Sequence, residues 1–310
     1  MYDTVSFWID RAMVRGNPLT IAQYLTNVTE HNSTDKGSSV TGKARDYSVF
    51  INDAGISLKG SLPKFLLTNN IQTLSRAEAS QAIEKLSNTL HLPIKKSKVT
   101  RIDVSTVLLV DQPPCNYYPF LGNKPHFERL QATKDTLYYN TNKRQLAFYD
   151  KVAEAKAKKI KIPETFIGKN LLRFEARYKN RLPTQFNMPI ITGETLTNER
   201  FYNGIVKRWG DEYFSINKLK SISIMDTSTI KTPNDAKEVL FSFLLQNAGV
   251  GSIDRYLADL KAKKTFKDPK YYTRIKNLLH KYINAKTKSE NSDLINKLDK
   301  AVNEVLINHR

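Results

Sequence analysis

The sequence predicts an α+β fold: an antiparallel β-sheet with flanking helices, followed by a helical C-terminal region. Two observations carry this. Up to about residue 180, apolar and polar residues alternate in segments joined by short turns, a hairpin pattern with few crossover units. Past about Ile190 the spacing of apolar residues becomes helical. At 310 residues the chain accommodates one large domain and a smaller one, expected at 1–225 and 235–310.

Taken in order, Tyr2 to Ile9 alternates with Val5, Phe7 and Ile9 on one face and reads as a strand. Residues 33–44 are polar and rich in Gly and Ser, which predicts a mobile loop. Tyr47 to Ile51 and Ile56 to Leu62 flank Asn52-Asp53-Ala54-Gly55, a hairpin signature. Ser75-Arg76-Ala77-Glu78 is a capping box opening a helix through Ala82, Ile83, Leu86 and Leu90. A strand follows at about 98–110, then an irregular connection over 111–135 containing Pro113-Pro114. A second hairpin joins Thr136–Asn140 to Arg144–Asp150 through Thr141-Asn142-Lys143. Lys151 to Lys159 suits a short, basic, solvent-facing helix, and a strand at about 170–179 ends before Leu182-Pro183. Met225 to Asn234 reads as a linker ending in the cap of a helix near Asp235, after which three or four helices are expected. No internal repeat is visible in the sequence.

Composition narrows the partners. With 49 Lys and Arg against 30 Asp and Glu the formal net charge is +19, an excess that attracts phosphate backbones and favours nucleic acid through counterion release. Arg255 to Lys288 alone holds 11 basic and 2 acidic residues. That run, with Lys261, Lys263, Lys264, Arg274 and Lys276, reads as a solvated helical face or a DNA-contacting surface, and the chain's overall charge favours the second. No apolar run approaches a membrane span, and no basic segment pairs with the bulky apolar anchors of a membrane-surface helix. Met1 to Trp8 lacks the pattern of a signal peptide, and Cys115 is the only cysteine, so a reducing cytoplasm is expected. Cys115 has no base beside it and reads as a bystander thiol.

Three strands carry the chemistry. Period-two alternation puts Ile102, Val104 and Leu108 on one face, and Arg101, Asp103 and Ser105 on the other. Likewise Leu172, Phe174 and Ala176 oppose Arg173, Glu175 and Arg177, while Tyr149 shares its face with Ala147 and Lys151. A carboxylate mid-strand among β-favouring apolar residues needs a partner. Ion pairs with Arg101, Arg173 or Arg177 provide one account. A divalent cation held by Asp103 and Glu175, with the arginines reserved for phosphate, provides another. On the residues alone the two stand even. Tyr149, one of 15 tyrosines, is either a rim tyrosine or a nucleophile whose phenol needs nearby cationic charge to ionise. His31, His91, His126, His280 and His309 are isolated, so any metal should be Mg²⁺ or Mn²⁺ on carboxylates. No Gly-x-x-x-x-Gly-Lys loop is present, which disfavours an ATP-driven helicase.

The ordered set of an Arg-x-Asp strand (Arg101, Asp103), a Tyr-x-Lys strand end (Tyr149, Lys151) and Arg173-Phe174-Glu175-Ala176-Arg177 resembles the nicking replication initiators of filamentous phages and rolling-circle plasmids. The continuation Tyr178 to Phe186 resembles the phage branch. The resemblance is clear over roughly 95–190, and past about 200 little is similar. It implies an antiparallel nuclease core in which the residue at Tyr149 attacks a DNA phosphate, leaving a 5′-phosphotyrosine and a free 3′-OH. It implies that Asp103 and Glu175 hold the metal and that Lys151, Arg173 and Arg177 lie near the phosphate. Arg101, Lys143 and Arg144 are expected to contact DNA. Tyr138 or Tyr139 is open as a second tyrosine for termination, against an activated water. The implied partners are origin DNA, single-stranded or in a hairpin, with a host helicase and polymerase; a homodimer suits a symmetric origin. A mobilisation relaxase with the same chemistry and a non-enzymatic origin-binding initiator or repressor are the alternatives.

Overall fold

A computed structural model describes residues 1–33, 37–219, 230–248, 250–283 and 293–309. Its ten strands are β1 (Tyr2–Asp10), β2 (Thr26–Ser33), β3 (Gly37–Ala44), β4 (Tyr47–Asn52), β5 (Gly55–Ser61), β6 (Lys98–Val110), β7 (Glu128–Thr133), β8 (Thr136–Asn140), β9 (Arg144–Asp150) and β10 (Asn170–Tyr178). They form one sheet in the order β2-β3-β4-β5-β1-β6-β10-β9-β8-β7, antiparallel at every pairing. The predicted α+β class is the one observed.

That order has a two-fold character the sequence does not display. The central strands β1 and β6 pair with each other. After each, the chain jumps to an outer edge (β2 or β7) and then steps inward strand by strand, until β5 closes on β1 and β10 closes on β6. Each half ends in helices: α1 (Leu62–Leu67) and α2 (Arg76–Leu90) after β5, and α4 (Leu182–Phe186), α5 (Gly193–Thr197) and α6 (Glu199–Phe214) after β10. One topology is therefore used twice, without a matching repeat in the sequence.

The alternation read from the sequence sorts the two faces of the sheet. Val5, Phe7, Val49, Leu58, Ile102, Val104, Leu146, Phe148, Phe174 and Ala176 are buried on one side. There Phe148 and Phe174 stack at 4.5 Å, and Trp209 of α6 covers Phe174 at 4.9 Å while its indole N–H donates to the Phe174 carbonyl at 3.3 Å. The capping box is present: Ser75 Oγ accepts from the Glu78 amide, and Glu78 Oε2 accepts from the Ser75 amide at 2.8 Å. The other face of the sheet carries most of the polar strand residues, with a few apolar ones such as Trp8 and Phe50 among them.

Three local expectations need correction. Residues 37–44 of the predicted loop form strand β3, because Val40 and Ala44 alternate into the core while the rest of this outer strand stays wet; residues 34–36 lie outside those described. The connection over 111–135 contains β7, an edge strand with exposed side chains and hence no apolar alternation to read. The helix α3 (Lys151–Ala157) is not wholly solvent-facing, since Lys151 is only 1% exposed.

The chain divides into two compact units, Met1–Asn217 with Lys297–Arg310, and Lys218–Asn296. Where three or four helices were expected late in the chain, the described residues form α7 (Pro233–Ala248), α8 (Val250–Ala262), α9 (Lys270–Ile283) and α10 (Asp293–Asn308). Thr232 and Asp235 cap α7 reciprocally, and residues 225–229 of the expected linker lie outside those described. The chain end belongs to the first unit. There Tyr213 of α6 donates to Asp299 at 2.7 Å, and Gly210 leaves room for Leu306, whose Cδ1 lies 2.6 Å from where a Cβ would stand.

Candidate active site on the open face of the sheet

The strands β6, β10 and β9 are neighbours, so the three polar segments share one surface. In register, Arg177 lies opposite Asp103 and Gln145, Glu175 opposite Ser105 and Ala147, and Arg173 opposite Val107 and Tyr149. Asp103 and Glu175 are thus diagonal neighbours. Asp103, 1% exposed, accepts two bonds from Arg101, Nε to Oδ1 at 2.8 Å and Nη2 to Oδ2 at 2.6 Å. Glu175 Oε2 accepts from Arg177 Nη2 at 3.0 Å and from the Tyr149 hydroxyl at 3.4 Å. Arg177 Nη1 and Lys179 Nζ both donate to Gln145 Oε1, at 2.8 and 3.2 Å.

Beneath Tyr149 lies a buried polar network. Arg173 Nη2 donates to Asp3 Oδ2 at 2.6 Å and to Ser105 Oγ at 2.5 Å, and its Nη1 donates to the Asn70 carbonyl. Asp3 also accepts from Ser61 at 2.6 Å. Lys151 Nζ donates to Asn70 Oδ1 at 2.8 Å and Glu154 Oε2 at 2.5 Å, and stands 6.0 Å from the Tyr149 ring centre. Arg173 and Lys151 were expected at the phosphate, but both are buried, with Lys151 Nζ and the two terminal nitrogens of Arg173 bonded inside the protein. Their reach to Tyr149 is electrostatic. Arg177 is also bonded, to Gln145 and Glu175, but its side chain is partly exposed and borders an open groove of about 330 Å³ with Thr136, Tyr138, Tyr149 and Glu154, its guanidinium 5.9 Å from the Tyr138 ring centre.

Burial dominates the ionisation of these groups. It pushes Asp103 up to about 7 from an ordinary 3.8, with the Glu175 charge adding to the rise and the Arg101 bond opposing it. The Tyr149 phenol is held well above its ordinary value, again by burial, with Arg173 pulling it down and Glu175 pushing it up. Burial, aided by the Arg173 charge, lowers Lys151 to about 8. Asp3 remains below its ordinary value despite burial, because Arg173 and the Ser61 hydroxyl favour its carboxylate.

The other expected residues separate by face. Tyr138 sits on the open face opposite Ala147. Tyr139 points into the core, where its hydroxyl donates to the Leu121 and Gly122 carbonyls at 2.9 and 2.7 Å, so it does not share the surface with Tyr149. Arg144 also faces the helices and bonds Glu212 of α6, unlike the DNA contact expected of it. Lys143 is exposed in the β8–β9 turn. Lys261, Lys263, Lys264, Arg274 and Lys276 are exposed in the second unit, on or just after α8 and on α9. Asp3, Asn70, Gln145, Glu154 and Lys179 were missed. Asp3 carried a signal, a carboxylate early in an alternating strand, and Glu154 another, an i+3 partner for Lys151; Asn70, in a loop, carried none.

Among the described residues no group of three His, Cys, Asp or Glu side chains forms a metal site. Asp103 and Glu175 nonetheless offer a donor set that suits a hard cation, two carboxylates leaving other positions to water and phosphate. A cation there would offset both the burial that chiefly raises Asp103 and the smaller repulsion from Glu175. Arg101 and Arg177 hold these oxygens now and would have to yield them.

Residues 1–201 match the family model for the N-terminal part of a phage replication-associated protein. The chain belongs to this family. The match to the replication-associated family spans all ten strands and every residue of the open-face site, while the second unit lies beyond it. The family placement agrees with the resemblance carried by Arg101 to Asp103, Tyr149 to Lys151 and Arg173 to Arg177. No curated protein matches the sequence. Among solved structures, the di-domain ARO/CYC StfQ from the steffimycin biosynthetic pathway aligns over 69% of this chain and 95% of its own, at 8% identity and a TM-score of 0.20. A likeness that weak carries no argument. No described helix is long and apolar enough to cross a membrane.

Proposed function

We propose that this replication-associated protein initiates rolling-circle replication by nicking one strand of an origin in the cytoplasm of a bacterial host. The observation that carries the reading is the Tyr149 hydroxyl, 3.4 Å from Glu175 Oε2 on an open sheet face that also holds Asp103 and Arg177. Tyr149 Oη attacks the phosphorus, and the phenol proton passes to solvent. The bond from phosphorus to the 3′-oxygen breaks, that oxygen takes up a proton from solvent, and the 5′ end stays on Tyr149 as a phosphotyrosine. Arg173, across from Tyr149 in register, favours the ionising phenol, and Arg177, at the edge of the groove, would neutralise the phosphate. Asp103 and Glu175 are the residues that would hold Mg²⁺ or Mn²⁺, which supplies Lewis-acid stabilisation of the phosphoryl charge. The reverse reaction rejoins strands, with Tyr138, on the same face, or an activated water as the second acceptor. The free 3′-OH goes to a host polymerase, with a helicase opening the duplex ahead.

The test is incubation with supercoiled DNA carrying the cognate origin and Mg²⁺ or Mn²⁺. Covalent protein–DNA adducts are expected, and Tyr149→Phe should abolish them. Adducts undiminished in that variant would remove Tyr149 from the role. One observation favours a second reading: the two-bond Arg101–Asp103 pair already satisfies a buried carboxylate. A non-enzymatic origin-binding initiator would bind the same DNA tightly and nick it with neither metal. A mobilisation relaxase would form the same adduct, but at a transfer origin.

A further inference from the structure

The half of the sheet without the acidic site repeats its topology with different chemistry. On the open face, register aligns two rows across neighbouring strands. One runs Lys43, Ser48, Lys59, Ser6 and Arg101, through β3, β4, β5, β1 and β6. The other runs Thr41, Phe50, Ser57, Trp8 and Lys98 over the same five strands. Neither row contains a carboxylate. Asp10, beyond Trp8 at the end of β1, is occupied capping the next turn through the Ala12 amide. Among the described residues no carboxylate lies within ion-pair distance of Lys43, Lys59 or Lys98. Phe50 is 39% exposed in mid-strand, and the surface around it dips into a hollow of about 350 Å³ with Lys43 and Lys59 on its rim.

We propose that this face is a platform for a single strand of DNA running to the cleavage site, phosphates along the lysine row and bases against Phe50 and Trp8. The location of the cleavage site rests on the nicking reading above. Each row crosses four strand intervals, roughly 19 Å at ~4.8 Å per interval, a span suited to several nucleotides. The lysine row ends at Arg101, whose guanidinium is bonded to Asp103, so the platform meets the site without a gap. Unpaired bases are required because only they present a ring face to an exposed aromatic; a duplex would offer phosphates to the lysines and leave Phe50 idle. In the acidic half β9 carries Tyr149 and β10 carries Glu175. The corresponding strands here, β4 and β5, carry Phe50 and Lys59. One copy of the topology is equipped to cut, the other to hold.

The test uses the full chain without divalent cation, so that binding is read apart from chemistry. Fluorescence anisotropy compares a short labelled single strand covering only the cleavage site with one extended along the platform. Phe50→Ala should weaken binding of the extended strand on the order of 5- to 150-fold and leave the short one unchanged. Lys43→Ala with Lys59→Ala should lower the slope of log affinity against log salt by about 1.4 for the extended strand. As a second measurement, the extended strand should quench Trp8 emission in the unaltered protein, over a constant background from buried Trp209. Variants that bind the extended strand as the parent does would overturn the platform, as would equal losses for the short strand or for duplex. A change of oligomeric state with DNA affinity intact would assign the face to a second copy instead. A protein that never forms adducts but shows these selective losses keeps the platform and loses the nickase.

Discussion

Asp103 is held under electrostatic tension. Its carboxyl is buried beside Glu175, and the Arg101 bonds do not outweigh that burial, so its pKa rises to about 7. In the unfolded chain it titrates near 3.8. As pH climbs from about 4 to about 7 the unfolded state gives up this proton and the folded state keeps it, so stability from this residue is present at low pH and lost on the way to neutrality. Asp103→Asn should therefore melt higher than the parent at pH 7 and above, with the advantage shrinking toward pH 4. Thermal melts of both proteins across that range measure it. If Asp103 were instead a stabilising half of an ion pair, the variant would melt lower at neutral pH and the gap would close on acidification. Arg173 shows the opposite case, a buried cation whose partners Asp3, Ser105 and Asn70 compensate it fully enough that both it and Asp3 stay charged.

The elements divide by how much of their reason for existing is local. The β4–β5 hairpin is nearly all local: Asn52 Oδ1 accepts from the Ala54 and Gly55 amides at 3.1 Å, and Gly55 takes φ +152°. A Cβ at Gly55 would stand 2.2 Å from the Ile9 carbonyl oxygen, a backbone atom that cannot swing aside. Gly55→Ala should thus cost more than about 1 kcal/mol, combining a disfavoured φ with a clash against β1. Chemical denaturation reads the cost, and an unchanged midpoint would mean the turn rearranges. The same locality is why β8, β9, β10 and the capped α2 were legible in the sequence. Outer strands β2 and β7 were not, because a strand wet over most of both faces has no apolar rhythm, and in β3 the core-facing positions are Val40, Gly42 and Ala44, too small and too few to show one. The faces of Asp103, Glu175 and Tyr149 could be read from alternation, but the register that makes Asp103 and Glu175 diagonal neighbours is a tertiary fact. So are Asn70 beneath Tyr149 and the turning of Arg144 toward Glu212.

At the scale of the whole molecule, charge is distributed over two units that the chain does not separate at one point. The family match covers the sheet and stops at residue 201, whereas Arg255 to Lys288, with 11 basic and 2 acidic residues, lies in the second unit. Helix α9 there carries Arg274 and Lys276 with Tyr271 close by, the Arg274 guanidinium 5.7 Å from that ring centre. A surface so charged gives affinity for duplex phosphates without contributing to the bond that breaks. Truncation is a poor test, because α10 returns to the first unit and its loss would strip the cover from α6. Charge removal in place is the better one. Replacing Lys261, Lys263, Lys264, Arg274 and Lys276 by Gln should weaken binding to origin duplex and reduce its salt slope by as much as about 4.5 if all five meet phosphates. Nicking of a short single strand should be unchanged, since Tyr149, Glu175 and Arg177 all lie in the first unit. Filter binding across a salt series and gel assay of the short substrate give the two numbers. Parallel loss of both would make the second unit part of the catalytic core rather than the grip on the duplex.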